Sequence, residues 1–333
     1  MSKTALVITS IADQNNAVLN KYAQGCLKNN IEFILIGDTN SPKNFHINGC
    51  NFYSIERQKK LNFSLPILMP TKHYSRKNIG YLISIKNNAE VIIETDDDNI
   101  PLNNFWKIKE RNQKAFVIKN KGWVNVYKHF TNKHIWPRGF ALEKILEKFP
   151  SCKNYKIIKS PIQQGLADAD LDVDAIFRMT QILPLTFKKK KSIGLINGSI
   201  CPFNSQNTTW FKEAFPLLYL PSYCSFRMTD IWRSFIAQRI AWECDWPILY
   251  HSSNVKQKRN NHIILDDFKC EISGYLNNLH IMNLLKNLKL KKGIKYINRN
   301  LIECYSELIN NKIINKKEMI LLKSFLKDMK SLS

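Results

Sequence analysis

The sequence has 333 residues, 44% of them apolar and 11% aromatic, so it can bury a large core. Its net charge of +23 comes from 50 lysines and arginines against 27 aspartates and glutamates, which fits an anionic partner or a compositional bias toward lysine. The basic runs are not interleaved with aromatic side chains, so we expect no nucleic acid partner.

Membrane-spanning segments and disulfides are not expected either. The sequence has no run of 18 apolar residues, and its first residues lack the charged-then-apolar pattern of a signal peptide. Its eight cysteines include no C-x-x-C pair, which argues against a structural zinc site and for a reducing compartment. We therefore expect a cytoplasmic protein.

The chain opens with a predicted β-α-β unit. Thr4–Thr9 and Ile31–Ile36 are apolar, strand-like runs, and residues 18–27 between them have helical periodicity. The G-x-G-x-x-G fingerprint of dinucleotide-binding folds is absent. Asp38 follows the second strand, where two interpretations stay open: it binds a ribose or base, or it begins a turn.

A second helix is predicted over Ser75–Asn88, and it begins with two cations. Arg76 and Lys77 oppose the helix dipole at this end but suit the binding of an anion there. We interpret them as ligands of a diphosphate, the alternative being a solvated helix end.

The stretch Val91–Asn99 is the most informative part of the chain. An apolar run typical of a buried parallel strand ends in three consecutive aspartates, at the end of the strand where open α/β sheets bind ligands. Asp96 and Asp98 carry the oxygen ligands that Mg²⁺ or Mn²⁺ prefers beside a substrate phosphate. Asp97 would point away from the ion, toward a ribose or a structural partner. The alternative is a solvated acidic turn or a helix cap.

Two later segments contain candidate substrate ligands. Arg138 lies between Pro137 and Gly139, and an arginine on such a loop commonly makes bidentate contacts to phosphate or carboxylate. Asp172 and Asp174 belong to four alternating aspartates ahead of a predicted helix. They could line an acceptor pocket or cap that helix.

Three candidates follow near the end of the predicted sheet. Asp230 lies in the first turn of a predicted helix. It could stabilise the helix through a favourable interaction with the helix dipole, or it could act as a general base. His251 follows a short predicted strand, and cations that include Lys256 come after it. This combination would suit a metal and a diphosphate, although a lone histidine is also a common loop residue.

The C-terminal residues 271–333 are predicted as a basic helical extension to a domain of residues 1–270. Apolar residues recur there at helical spacing among many lysines. The helices could pack on the domain or lie on the inner face of the cytoplasmic membrane through their lysines.

Five short segments together resemble a known family. In this order they are similar to the STELLO family of glycosyltransferases and, more distantly, to the reversibly glycosylated polypeptides, the UDP-arabinopyranose mutases. The segments are Arg76–Tyr81, Glu94–Asn99, Pro137–Phe140, Gln164–Asp168 and Asp172–Ala175. The similarity extends over roughly residues 70–260, and the shared order makes it specific.

This resemblance implies a fold class and a set of roles. It implies an α/β GT-A fold, in which a Rossmann-like nucleotide-sugar domain has a mixed central sheet flanked by helices. Asp96 and Asp98 would be the D-x-D pair that holds Mn²⁺ or Mg²⁺ on the donor diphosphate, with His251 completing the metal site. Asp230 would be the base of an inverting enzyme, and Arg138 would lie near the donor.

The main functional prediction is metal-dependent transfer of a sugar from a nucleotide sugar, most simply a UDP-sugar. The acceptor would be a glycan or lipid-linked glycan of a surface polysaccharide. Arg76, Lys77 and Lys256 would stabilise the leaving nucleotide, while Asp172 and Asp174 would bind acceptor hydroxyls.

Two alternatives remain open at this stage. The first is a sugar-nucleotide mutase or self-glycosylating protein that uses Arg138, although Thr229 replaces the second acid that the mutases have beside Asp230. The second is a non-catalytic protein that binds an anionic glycan or nucleic acid through its positive charge.

Overall fold

The computed structural model describes residues 3–259 and 263–332. Within these ranges eleven strands form one mixed sheet, and two short strands form a separate pair. The strands are β1 (Thr4–Thr9), β2 (Glu32–Ile36), β3 (Cys50–Tyr53), β4 (Val91–Thr95), β5 (Asn99–Pro101), β6 (Asn112–Ile118), β7 (Gly122–Trp123), β8 (Tyr155–Lys159), β9 (Ile162–Ala169), β10 (Ile193–Leu195), β11 (Ser199–Ile200), β12 (Asn207–Phe211) and β13 (Ile248–Gln257).

Helices surround this sheet and vary from one turn to more than six turns in length. They are α1 (Ala17–Asn29), α2 (Ile55–Lys59), α3 (Leu65–Leu68), α4 (Lys77–Lys86), α5 (Tyr127–Phe130), α6 (Ala175–Thr180), α7 (Thr229–Glu243), α8 (Ile264–Asn287), α9 (Ile297–Asn310) and α10 (Glu318–Lys330). Short 3₁₀ turns at Tyr74–Arg76 and Phe226–Met228 lead into α4 and α7.

The strand order of the main sheet is β3-β2-β1-β4-β12-β9-β13-β10-β6-β8, with β5 paired to β13. Strands β3, β2, β1 and β4 run parallel, whereas β12 is antiparallel to both of its neighbours. The predicted α/β fold with a mixed central sheet flanked by helices is confirmed.

The parallel strands are buried because their residues are apolar on both faces. Residues 5–8 of β1 and 91–93 of β4 are at most 2% exposed, as expected for strands covered by helices on both sides. The chain leaves β1 toward β2 and later returns to β4 on the other side of β1. Such a reversal of strand order creates a crevice at the carboxyl ends of the strands.

Helix α4 packs closely on this part of the sheet because it has a glycine at the contact. A Cβ atom on Gly80 would lie 2.4 Å from Val7 Cγ1, so a larger residue would push the helix away from β1. The close approach brings the first turn of α4, with Lys77, under the end of β4. The sequence therefore specifies both the helix and its distance from the acidic strand end.

The C-terminal helices pack against the rest of the chain. Buried side chains of α8, α9 and α10, among them Leu285, Tyr305 and Phe325, belong to the same hydrophobic cluster as β1 and α7. The predicted boundary at residues 270 and 271 falls inside α8. None of the helices formed by residues 3–259 and 263–332 is long and apolar enough to cross a bilayer.

Candidate functional site

A cavity of ≈ 570 Å³ lies at the carboxyl ends of β1, β2 and β4, a volume typical of small-molecule sites. Residues 9–11 and 36–40, after β1 and β2, form one side of it. Residues 96–98, after β4, form its centre. The opposite side is formed by residues of α6, of the turn Phe226–Met228 and of the chain at and after the end of β13.

The three aspartates that follow β4 all line the cavity, but each has a different partner. Asp96 Oδ1 accepts a hydrogen bond from Lys77 Nζ at 2.7 Å. Asp97 Oδ2 accepts one from the Ser10 hydroxyl at the end of β1. Asp98 Oδ2 accepts one from Gln257 Nε2 at 3.0 Å. Asp97 is thus turned toward β1, whereas Asp98 is turned toward β13.

The electrostatics of the aspartates favour a bound cation. Burial, followed by repulsion from Asp96, raises the pKa of Asp98 to about 7. Burial also raises the pKa of Asp96 and of Asp97, although Lys77 opposes this for Asp96 and the Ser10 hydroxyl for Asp97. Positive charge between these carboxylates would relieve their repulsion and return the pKa values toward their ordinary range.

The residues present fit a hard divalent ion that shares its coordination with a substrate. Among the residues that the structure describes, no group of three or more His, Cys, Asp or Glu side chains could hold a metal alone. Mg²⁺ commonly takes only one or two carboxylates and completes its shell with phosphate oxygens and water, as Asp96 and Asp98 would allow. Gln257 Oε1, which lies beside Asp98, is a buried oxygen that has no hydrogen-bond partner among the described residues.

The predicted metal ligand His251 lies outside the cavity wall that the three aspartates share. It lies on β13 opposite Gly165, six residues before the end of that strand. Its Nδ1 lies 3.0 Å from the carbonyl oxygen of Ser252, and burial, followed by Lys109, lowers its pKa to about 4. The prediction that His251 completes the metal site is wrong, because β13 continues past His251 and brings Gln257 to Asp98 instead.

Arg138 lines the cavity and pairs with two carboxylates at once. Its Nε and Nη2 donate to Asp172 at 2.7 and 3.1 Å, and its Nη1 and Nη2 both donate to Asp230 at 3.0 Å. The three side chains are at most 13% exposed. Because every nitrogen of Arg138 is engaged, the side chain fixes the two carboxylates and has no free nucleophilic nitrogen.

This pairing makes Asp230 a weak base. Burial would raise its pKa, but the charge and hydrogen bonds of Arg138 overcome this and lower the pKa to about 2. An efficient general base has a pKa close to the working pH. The prediction that Asp230 is the catalytic base therefore conflicts with its ion pair, although Asp230 does line the cavity.

Several other predicted ligands have structural roles. Lys77 is fully buried and uses its three donors on Thr95 O, Asp96 Oδ1 and Ser205 O, so it positions Asp96 and does not reach the cavity. Asp174 caps α6 by accepting from Phe177 N at 2.7 Å, and it lies outside the cavity wall.

Lys256 and Arg76 also differ from the prediction. Lys256 is exposed, pairs with Ile100 in the sheet and does not line the cavity, because alternate residues of a strand point to opposite faces. Arg76 does line the cavity, but it is 1% exposed and its hydrogen bonds to Gln58 Oε1, Met69 O and Pro70 O anchor the preceding loop.

Asp38 and His73 complete the side of the cavity near β1 and β2. Asp38 Oδ1 accepts from Thr39 N at 2.7 Å and Oδ2 from His73 N at 3.1 Å, so Asp38 begins a turn and also faces the cavity. His73 Nδ1 accepts from Ser75 N, and burial lowers the pKa of His73 to about 4. The neutral ring therefore carries its proton on Nε2, which can donate.

Sequence reasoning missed four residues of the opposite wall: Gln257, Arg178, Arg227 and Arg259. The signal for two of them was present. If β13 extends to residue 257, the period of two puts Gln257 and Arg259 on one face and Lys256 on the other. Arg178 and Arg227 join the wall because α6 and the turn before α7 both pack on α8, whose Asp267 binds Arg259. No local sequence pattern indicates this packing.

Comparisons with known proteins support the relationship read from the motifs. The family model described as STELLO glycosyltransferases matches residues 227–333. Probable glycosyltransferases STELLO2 and STELLO1 of Arabidopsis thaliana are each 28% identical to this chain over 233 and 235 residues, which is 64% of this chain and 30% of each relative. The resemblance to the STELLO family is confirmed.

The STELLO relatives are much longer than this chain, which spans about 30% of their length. Among solved structures, a complex of Mycobacterium tuberculosis glucosyl-3-phosphoglycerate synthase with Mn²⁺, UDP and phosphoglyceric acid has a TM-score of 0.41 and 10% identity. That match covers 83% of this chain and 78% of the other.

Proposed function

We propose that this protein is a metal-dependent glycosyltransferase that uses a nucleotide sugar, most simply a UDP-sugar. The observation that carries the proposal is the aspartate triplet at the centre of the cavity, where Asp98 has a pKa raised to about 7. Three carboxylates this close together favour a divalent cation, and a diphosphate is the substrate group that such a cation binds best. The confirmed STELLO resemblance supports the same class of reaction.

Asp96 and Asp98 would hold Mg²⁺ or Mn²⁺, with Gln257 Oε1 as a further neutral oxygen beside them. Such an ion supplies positive charge to the departing diphosphate. On the side of β1 and β2, Asp97 and Asp38 offer acceptors for ribose hydroxyls, and His73 Nε2 offers a donor. The nucleoside would therefore occupy this side of the cavity.

In the proposed reaction an acceptor hydroxyl oxygen attacks the anomeric carbon of the donor sugar. The bond between that carbon and the diphosphate oxygen breaks, and the hydroxyl proton passes to a base or to the departing phosphate. Arg138 orients Asp172 and Asp230, so their carboxylate oxygens can accept hydrogen bonds from sugar hydroxyls. We assign Asp172 to the acceptor, in line with its predicted role.

The alternative reaction through Arg138 is not favoured. Self-glycosylation of an arginine needs a guanidinium nitrogen with a free electron pair. Burial would lower the pKa of Arg138, but Asp172 and Asp230 outweigh it and raise that pKa well above its ordinary value. The side chain therefore stays protonated and fully hydrogen bonded.

We further propose that the protein works in a reducing compartment such as the cytoplasm. All eight of its cysteines are free thiols. The apolar faces of α8–α10 contribute to the core, so a peripheral membrane contact would have to use their exposed lysines.

The proposal is tested by the binding of UDP with and without Mn²⁺, measured by isothermal titration calorimetry. We expect Mn²⁺ to strengthen binding in the wild type, and Asp98→Asn to remove most of this strengthening. Asp245→Asn, which changes an exposed aspartate outside the cavity, is the matched control and should behave as the wild type. UDP binding that does not depend on Mn²⁺, or on Asp98, would contradict the proposal and favour a non-catalytic binder.

A further inference from the structure

Three arginines form a cluster on the wall of the cavity that belongs to β13 and α6. Arg178 comes from α6, Arg227 from the turn before α7, and Arg259 from the chain after β13. Their side chains are only 9%, 17% and 9% exposed, yet all three line the cavity. We refer to these three residues as the arginine cluster.

Each arginine of the cluster is held by a carboxylate that is not part of the cavity wall. Arg178 binds Asp170, and Arg259 binds Asp267. Arg227 donates to Glu271 Oε1 from Nη2 at 2.6 Å. The carboxylates therefore orient the guanidinium groups from outside the cavity wall, and the positively charged arginines themselves line the cavity. An orientation fixed before binding lowers the entropic cost of holding a ligand.

The cluster has electrostatic and hydrogen-bonding capacity that its protein partners do not use. The three guanidinium groups lie on one wall and repel each other, and one carboxylate, Asp267, is shared by two of them: it binds Arg259 and lies 3.6 Å from Arg227 Nε. Among residues 3–259 and 263–332, no hydrogen-bond partner exists for the buried Nε of Arg178. An anion between the three guanidinium groups would relieve this repulsion and provide acceptors.

The position of the cluster separates it from the proposed nucleoside side. In the sheet order, β1 and β2 lie on one side of β4, and β13 lies three strands away on the other side. The aspartates after β4 are therefore between the two. A nucleotide sugar with its nucleoside near β1 would direct its sugar and the acceptor toward the cluster.

We propose that the arginine cluster binds a phosphate group carried by the acceptor. Three converging guanidinium groups match a phosphate, which has more oxygens and more charge than a carboxylate. The inference rests on the proposed function, because it assumes that the donor occupies the side near β1. It adds a substrate class: the acceptor is phosphorylated, either as a soluble ester or as a lipid headgroup.

The test measures binding of inorganic phosphate by calorimetry to protein already saturated with UDP and Mg²⁺. We expect the wild type to bind phosphate, and Arg178→Gln to weaken this binding at least about tenfold, since a charged hydrogen bond is lost. Arg178 is the best residue to change because its partner Asp170 is 33% exposed and tolerates the loss. Arg299→Gln, an exposed arginine of α9, removes the same charge away from the cavity and should have no effect.

The affinity of UDP in the same variants separates this inference from the proposed function. If Arg178→Gln weakens the binding of UDP as much as the binding of phosphate, the cluster binds the donor diphosphate and the inference is wrong. If the UDP-bound wild type binds no phosphate, the inference is also wrong, although Mn²⁺-dependent UDP binding would stand. Arg259→Gln should repeat the phosphate result if Arg178→Gln fails to fold.

A second arm distinguishes the two sources of phosphate. Flotation with phosphatidylcholine vesicles that contain phosphatidic acid is compared between the wild type and Arg178→Gln. Vesicle binding that depends on Arg178 supports a lipid headgroup. If phosphate binding depends on Arg178 but vesicle binding does not, the result supports a soluble phosphate ester.

Discussion

The buried pair of carboxylates around Arg138 gives the sharpest prediction about stability. Arg138→Gln removes the positive charge shared by Asp172 and Asp230, whose side chains are 13% and 5% exposed. Removing one partner of a buried ion pair typically costs about 3–5 kcal/mol, because the other charge stays buried without compensation. Against a total stability of about 5–15 kcal/mol, this loss is large but measurable.

The assay is urea unfolding at pH 7, followed by tryptophan fluorescence in the wild type and in each variant. Arg138→Gln should lower the free energy of unfolding by about 3–5 kcal/mol. The double variant Arg138→Gln/Asp230→Asn should recover part of the loss, because it removes one of the uncompensated charges. Arg299→Gln, which breaks an exposed pair with Glu303, should cost less than about 0.5 kcal/mol.

A loss below about 1 kcal/mol in Arg138→Gln, or no recovery in the double variant, would contradict this prediction. Either result would mean that the guanidinium is not the main compensation for these carboxylates. Asp230 would then not have the low pKa that makes it a weak base.

Three other predictions concern residues with corrected roles. Burial raises the pKa of Asp174 to about 6 in the folded state, so its contribution to stability is greatest below pH 4 and declines as pH rises to 6. Asp174→Asn should remove this decline, which amounts to about 3 kcal/mol in the free energy of unfolding. The measurement is thermal unfolding at several pH values, and equal pH profiles for the wild type and the variant would contradict the prediction. His251→Gln should leave the Mn²⁺ dependence of UDP binding within about twofold, whereas a loss as large as that of Asp98→Asn would restore the predicted ligand. Lys77→Met should lower the free energy of unfolding by about 2–3 kcal/mol in urea, because Asp96 and two carbonyl groups lose their donor; a change under about 1 kcal/mol would show that the contacts are replaceable.

Local patterns in the sequence were enough to predict the parallel strands β1, β2 and β4 and the acidic end of β4, but not the parallel strand β3. Apolar, β-branched runs are local patterns, so β1, β2 and β4 could be read without knowledge of the fold. The same holds for Asp96 and Asp98, because residues after a parallel strand lie at the edge of the sheet where ligands bind. Their spacing and chemistry were sufficient to predict a cation there.

Which distant side chains share the cavity depends on how remote segments of the chain pack together. His251 was predicted as a ligand on the assumption that the strand before it ends there, but β13 continues to Gln257 and shifts the contact by six positions. Lys77 and Asp174 are buried polar groups whose chemistry suits a ligand as well as a structural partner. Burial and hydrogen-bond geometry distinguish these roles, and both depend on packing between segments far apart in the chain.

The arginine cluster shows the same limit most clearly. Arg178, Arg227 and Arg259 lie in three separate segments, and in a chain with 50 lysines and arginines no local pattern distinguishes them. Their convergence follows from the packing of α6 and of the turn Phe226–Met228 on α8, whose Asp267 binds Arg259. The charge composition indicates that an anionic partner is possible, whereas the fold determines which positively charged side chains line the cavity.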